Sequence, residues 1–532
     1  MITLFRAVVA LLSLTIAPLG WAALATSAAS DPQGRVWIAY TQAHGDASVV
    51  HVSQYDDTTQ TWRRVAEVNE TPEPVSADGE NRPKLAFGPA GEMYVSWTSP
   101  TSAKYTGDIR FARSLDAGKT WSEPVTVHRD RQRISHRFES LLVDRSGRIW
   151  IAWIDKRDLH AAQGKQRPYA GAAIYYAFST DRGTSWQGDF KVADNSCECC
   201  RIAMAVDSAG APTLMWRHVF GPNERDHAIA TLTPEGPSAV RRVTFDRWTI
   251  DACPHHGPSL AIGPDGTRHA VWFNQVQNDG RVFYGRLGDE RASHLRTLPA
   301  GASHAEVLAN GATVAVAWKR FDGKATLIET LLSEDGGENF RAGPMLATTH
   351  SSDQPRLISR GKGAALVWRQ EDRTSILALG KRPEASSKIK PTVAPVATRP
   401  ISQITPFGPD TMKAIEREHQ GRAFWVLLWD LECTYCMKSM RHAVQAQQRR
   451  PNLTVVSIAT DPATKAPELR ERLAELGLES SAFAFGSAST EALRYAIDPL
   501  WTGEKPRSYR YSASGQREAI SGVLSVEQLI SP

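Results

Sequence analysis

Cysteine is scarce in this chain. Six in 532 residues are too few to staple an exported polypeptide of this size into a disulfide scaffold. A dominant charge is lacking as well: 62 Lys and Arg stand against 57 Asp and Glu, and the surplus of five is spread without long basic runs. Nothing in it suggests a nucleic-acid partner. Long hydrophobic runs are also missing. The cleanest, Ala7 to Pro18, has about 12 residues against the roughly 20 needed to cross a bilayer, so no stable membrane span is expected. With Arg6 before it and Ala23-Leu24-Ala25 after it, this run reads as a signal peptide over residues 1–25. It predicts an exported protein, periplasmic in a Gram-negative cell and soluble after cleavage. The first cysteine is Cys197, so no lipid-modified cysteine follows the cleavage site.

A chain of this length exceeds one ordinary core, and a repeat accounts for most of it. A short apolar strand, a Gly turn and a second strand ending in an aromatic recur. The turns include Asp31-Pro32-Gln33-Gly34, Gly88-Pro89-Ala90-Gly91, Asp144-Arg145-Ser146-Gly147, Asp207-Ser208-Ala209-Gly210 and Gly263-Pro264-Asp265-Gly266, with Gly placed where a tight turn needs positive φ. The closing aromatics are Tyr40, Trp97, Trp153, Trp216, Trp272, Trp318 and Trp368, spaced 57, 56, 63, 56, 46 and 50 residues apart. That period suits a four-stranded propeller blade.

A second motif, Ser-x-Asp-x-Gly-x-x-Trp, occurs in full at Ser114–Trp121 and Ser179–Trp186 and with Phe for Trp at Ser333–Phe340. Here Asp116, Asp181 and Asp335 cap a turn, and Trp121, Trp186 and Phe340 supply an aromatic plug. These residues resemble the Asp box, or BNR repeat, of sialidase-like β-propellers, in which the motif is structural. The resemblance implies an all-β propeller over 26–381 with six or seven blades, seven favoured.

Residues 382–405, rich in Pro, Ser, Thr and Lys, read as a linker. Beyond it, the buried-strand pattern Phe424–Asp430 runs into Cys433-Thr434-Tyr435-Cys436 and a helical stretch. A cysteine at a helix N-terminus is favoured as thiolate and acts as nucleophile, and the second cysteine resolves the mixed disulfide. This order resembles a thioredoxin-like domain, covering 406–532 and most similar to the exported reductases related to those of cytochrome maturation. The resemblance implies α/β architecture, catalytic Cys433 and Cys436, and a cis Pro506 facing them. The chain departs from the pattern at Glu432, where Trp is usual, at Leu427, where thioredoxin has a buried acid, and at Ser439. Glu432 is expected to raise the Cys433 pKa if the two are close. A c-type haem is excluded, since Met437 stands where His is required.

The remaining cysteines gather before two neighbouring inner strands, as Cys197-Glu198-Cys199-Cys200 and Cys253-Pro254-His255-His256. With His136, His304 and Asp353 at matching places, they meet at one mouth of the propeller. Thiolate and imidazole suit a copper or zinc site, formed by Cys197, Cys199, Cys200, Cys253, His255 and His256; one or two disulfides are the alternative. The expected function is thiol–disulfide oxidoreduction. Its substrate is a disulfide-bearing protein or the chain's own propeller cysteines, and an upstream donor supplies electrons. Alternatives are an exo-α-sialidase-type glycosidase using Arg82, Arg137 and Arg201 to bind a carboxylate, or a propeller that only binds clients or glycans.

Overall fold

The computed structural model describes residues 24–380 and 404–531, except 104, 208, 277, 278 and 479. The expected signal peptide and linker lie almost wholly outside the described residues, although Thr405, at the end of the expected linker, already opens a strand.

From Ser27 to Leu379 the described residues form a succession of antiparallel sheets with one helix among them, Arg157–Gly164. The repeated apolar–turn–apolar unit forms a hairpin each time. Ser27–Ser30 pairs with Val36–His44, Lys84–Phe87 with Met93–Pro100, and Ser259–Ile262 with Arg268–Val276. The turns hold because a carboxylate organises them. Asp31 accepts from the Gln33 and Arg35 amides at 3.0 and 2.9 Å and from Trp37 Nε1 at 2.9 Å, while Gly34 takes φ +79°. Asp144 does the same for Ser146, Arg148 and Trp150. Two further strands complete most units, as Ala47–Asp56 and Thr61–Glu67 do in the first. The last unit, Arg356–Leu379, has three strands, and the third and fourth repeats share one sheet through a single Ser196–His218 pairing.

The first unit packs on the last. Val36 and Ile38 share a core with Ile358, Ala365 and Val367, and Trp62 Nε1 donates to the Thr374 carbonyl at 2.9 Å. Sheets that repeat and close on themselves make this part a β-propeller. The Asp boxes brace it. Asp116 accepts from the Thr120 amide at 2.9 Å and Asp181 from the Ser185 amide at 2.9 Å. Trp186 meets Phe111 of the preceding repeat edge-on at 5.0 Å, and Phe340 meets Tyr284 likewise at 4.9 Å.

The C-terminal part is an α/β unit with a six-stranded mixed sheet in the order Thr405–Phe407, Ser481–Phe485, Val455–Pro462, Phe424–Trp429, Arg507–Tyr511, Arg517–Ser521. The first four strands run parallel and the last two antiparallel to their neighbours. Phe424–Trp429 is buried on both faces, which is why it reads as a continuous apolar run. Phe424, Val426 and Leu428 pack with helices Thr411–Glu418 and Thr490–Ile497. Trp425, Leu427 and Trp429 pack with Thr434–Arg449, Ala466–Leu476 and Val526–Ile530. No helix among the described residues is long and apolar enough to cross a membrane.

Candidate functional site

Cys433 caps helix Thr434–Arg449, its Sγ accepting from the Cys436 amide at 3.1 Å, and the two cysteines form a disulfide. The apolar strand delivers Cys433 to this position, and Asp430 shapes the turn by accepting from the Glu432 amide at 2.9 Å. Lys505 is bonded to Asp430. Burial works against the Asp430 charge, but the Lys505 ammonium outweighs it and holds the carboxyl below its usual range. The Lys505–Pro506 peptide is cis. Ser439 Oγ accepts from the Leu524 amide at 3.1 Å, so it fixes the end of the fold.

Cys433 and Cys436 are each 1% exposed, because the propeller mouth lies directly over them. Cys197, Cys199, Cys200 and Cys253 share their apolar cluster, together with Trp216, Trp429 and Tyr435. The strongest tie is made by main chain. Cys253 and Lys505 form an isolated antiparallel bridge, with the Cys253 amide donating to the Lys505 carbonyl at 2.6 Å and the Lys505 amide to the Cys253 carbonyl at 3.0 Å. The Val523 amide bonds the Asp251 carbonyl at 3.2 Å beside it. A propeller cysteine therefore lies as an added strand residue against the segment that leads into Pro506.

All four propeller cysteines are free thiols, so the disulfide alternative is not the arrangement present. They form two overlapping groups that share Cys199. In one, Cys197 Sγ lies 3.8 Å from Cys199 Sγ and 3.7 Å from Cys200 Sγ. In the other, the ligand atoms of Cys199, Cys253 and His255 lie within 4.8 Å of one another. His256 belongs to neither. Its ring stacks between Phe273 and His304 at 4.2 and 4.5 Å, and its Nε2 bonds the Thr502 carbonyl at 2.8 Å, so it joins the two parts of the chain and is not placed as a ligand. A third group, Asp108, His128 and His136, was not foreseen. There, both nitrogens of His128 and Nδ1 of His136 already serve main-chain groups.

Arg225, which no motif marked, governs the first group. It is 2% exposed, donates to Cys197 Sγ at 3.1 Å and reaches Tyr435 Oη at 3.4 Å. Cys197 is held well below the usual thiol range by hydrogen bonds from Cys199 and Cys200, and further by Arg225 and Arg217, against the effect of burial. Cys199 and Cys200 move the other way, burial first. The available signal was the run Glu224-Arg225-Asp226-His227 inside a strand, where burial on both faces should exclude charge.

The three arginines expected to clamp a carboxylate have other partners. Arg82 bonds the Thr26 carbonyl at 3.1 Å and Gln354 at 2.5 Å. Arg201 bonds Glu80 at 3.0 Å and the Pro258 and Ala305 carbonyls at 3.1 and 2.7 Å. They brace the repeats. Arg137 crosses to the C-terminal unit and pairs with Glu432 at 2.6 Å, so the Glu432 charge is turned toward the propeller. Between the two parts remains a cavity of about 660 Å³ whose walls include Asp78, Cys199, His255, Asp430, Asp461 and Lys505.

No protein-family model and no curated protein matches the sequence. Among solved structures, the chain is similar to the polysaccharide lyase Uly1, at 11% identity over 68% of this chain and 90% of that one, TM-score 0.42. It is also similar to the α-L-arabinofuranosidase Arb93A from Fusarium graminearum in complex with an iminosugar inhibitor, at 17% over 61% and 92%, TM-score 0.39. A third likeness is to a point mutant of NanB sialidase from Streptococcus pneumoniae, at 11% over 57% and 66%, TM-score 0.37. Likeness at this level does not carry their activities to this chain.

Proposed function

We propose that this protein is a thiol–disulfide oxidoreductase acting within its own chain, with a thioredoxin-like C-terminal domain serving the cysteines of a seven-bladed sialidase-like propeller. One observation carries the reading: Cys253 is paired main chain to main chain with Lys505, beside the Cys433–Cys436 disulfide and in the same buried cluster as three other free thiols.

In the reductive direction, the Cys433 thiolate attacks Sγ of Cys253 in a Cys199–Cys253 disulfide, and Cys199 leaves as a thiolate that takes up a proton. Cys436, deprotonated, then attacks Sγ of Cys433 and Cys253 leaves. Two electrons pass to the propeller. The products are a Cys433–Cys436 disulfide and free propeller thiols, which is the distribution in the structure.

The test is Cys436→Ser, which leaves Cys433 unable to close its own ring. Under mild oxidation, peptide mapping without reductant should recover Cys433 linked to Cys253. Linkage of Cys433 to foreign proteins alone would instead make the substrate a separate client.

A second reading, a glycan-acting propeller, is favoured by the acids of the cavity: burial raises the carboxyls of both Asp78 and Asp461 above the usual range, as an acid catalyst requires. It predicts hydrolysis or cleavage of a glycan that Asp78→Asn abolishes.

A further inference from the structure

The exchange chemistry uses Cys253 but gives no role to His255, which closes the same group. His255 has φ +54°, a left-handed conformation for a residue with a side chain, and its Nε2 is enclosed without a hydrogen-bond partner. A side chain held in a costly backbone conformation, with one ring nitrogen bare and a ring nitrogen within 4.8 Å of two thiol sulfurs, lacks the partner that its chemistry calls for.

We propose that Cys199, Cys253 and His255 form a three-coordinate site for Cu(I), and that copper and the Cys433–Cys436 pair compete for the Cys253 sulfur. Two sulfurs and an imidazole are soft and borderline donors that select Cu(I) or zinc. Zinc in a structural site is held by four ligands, and among the described residues no fourth candidate donor joins this mutually close set. The Cys197, Cys199 and Cys200 group is the poorer cation site, because the guanidinium of Arg225 lies 3.1 Å from Cys197 Sγ and already supplies the positive charge there. Cu(I) replaces the two thiol protons and no electrons move. A Cys253 sulfur bound to Cys433 or to Cys199 has no thiolate to offer, so the metal loads only once exchange has finished. The competition rests on the exchange proposed above; the site itself does not.

The test uses the full chain, reduced and oxygen-free, titrated with Cu(I) against the chelator bathocuproine. The wild type should take up one Cu(I), and its X-ray absorption fine structure should show two sulfurs and one nitrogen. Cys253→Ser and His255→Ala should each weaken binding by more than about 100-fold, beyond the loss typical of outer-shell changes, while Cys200→Ser, which keeps all three donors, should stay within that smaller loss. An all-sulfur shell in the wild type, or no uptake, overturns the site without depending on any variant's folding. In Cys436→Ser protein, Cu(I) added before oxidant should prevent the Cys253–Cys433 link. A link that forms equally well with copper bound refutes the competition, and no link in the metal-free protein refutes the exchange and leaves the copper measurement standing.

Discussion

Replacing Glu80 by Gln should loosen the whole propeller, although the change removes a single charge. Glu80 is 4% exposed and precedes the second repeat's inner strand, yet its partners come from the fourth, fifth, sixth and seventh. Its carboxylate accepts from Arg201 Nη1 at 3.0 Å, the Arg201 amide at 3.2 Å, the Gly257 amide at 2.8 Å, Gln354 Nε2 at 3.2 Å and His304 Nδ1 at 3.3 Å. An amide in that place turns one acceptor into a donor facing other donors and leaves the Arg201 guanidinium without its counter-charge. Removing one partner of a buried ion pair costs about 3–5 kcal/mol. At about 2 °C per kcal/mol, the lower bound for a large domain, Tm should fall by about 6–10 °C. The pH dependence has a definite sign. Burial opposes the Glu80 charge, but Arg201 and His304 outweigh it and hold the carboxyl well below its ordinary 4.5. Its stabilisation is therefore complete above about pH 4.5 and is lost as pH falls further, through the folded-state value. Thermal unfolding followed by tryptophan fluorescence should show the gap between wild type and Glu80→Gln constant from pH 5 to 7 and narrowing toward pH 3. A Tm within about 2 °C of wild type, less than 1 kcal/mol on the same scale, or a gap undiminished at pH 3, would refute the reasoning.

Trp186→Ala removes a partly buried plug that meets Phe111 edge-on. It should lower stability by about 2–3 kcal/mol, somewhat less than a fully buried Trp, read as a shift in urea midpoint at unchanged slope. Arg137→Glu opposes Glu432 with a like charge across the interface. Because Glu432 is largely exposed, the cost is near 1 kcal/mol, and the rate at which dithiothreitol reduces Cys433–Cys436 should rise about fivefold if a 1 kcal/mol easier opening limits access. Combining Arg137→Glu with Glu432→Arg should restore the slower rate, and no difference between single and double variants counts against the closed interface.

The propeller is legible in sequence because its signals are local. Asp31 and Asp144 lie within a few residues of the amides and indoles they bond, and the carboxylates of the three Asp boxes bond across four positions at most. The strand leading to Cys433 is legible for the same reason. The contacts that make the site were not, since each joins segments far apart in the chain: Cys253 with Lys505, Cys197 with Arg225, Glu80 with Arg201 and Gln354. Position before an inner strand brought His255 and His256 equally into view. What separates them is ring direction, His255 toward the thiols and His256 toward the Thr502 carbonyl, and no spacing rule encodes that. Arginines at matching channel positions suggest a substrate clamp until their partners are known; then Arg82 and Arg201 prove to be consumed by the protein itself.

The interface that presents Cys253 also seals the Cys433–Cys436 disulfide from solvent, so on the proposed cycle one arrangement cannot both deliver and receive electrons. Delivery needs the main-chain bridge of Cys253 with Lys505 and the Arg225 contact with Tyr435. Recharging by an outside donor needs those bonds broken, because an attacking thiolate must reach a sulfur that is now 1% exposed. The bonds available to break are largely polar. Arg137–Glu432, Lys319–Glu491 and Arg472–Tyr105 span the two parts, and water can replace such partners at little cost once they are exposed. The contacts of Tyr435 with the cysteine cluster and of Phe321 with Tyr495, edge-on at 5.4 Å, are apolar, and their loss on opening uncovers apolar surface. The proposed cycle requires this closed state to open reversibly. On that cycle, opening would separate the propeller thiols from the disulfide that their own reduction has left behind, so the electrons would stay where they were delivered until the donor had reduced Cys433 and Cys436 again.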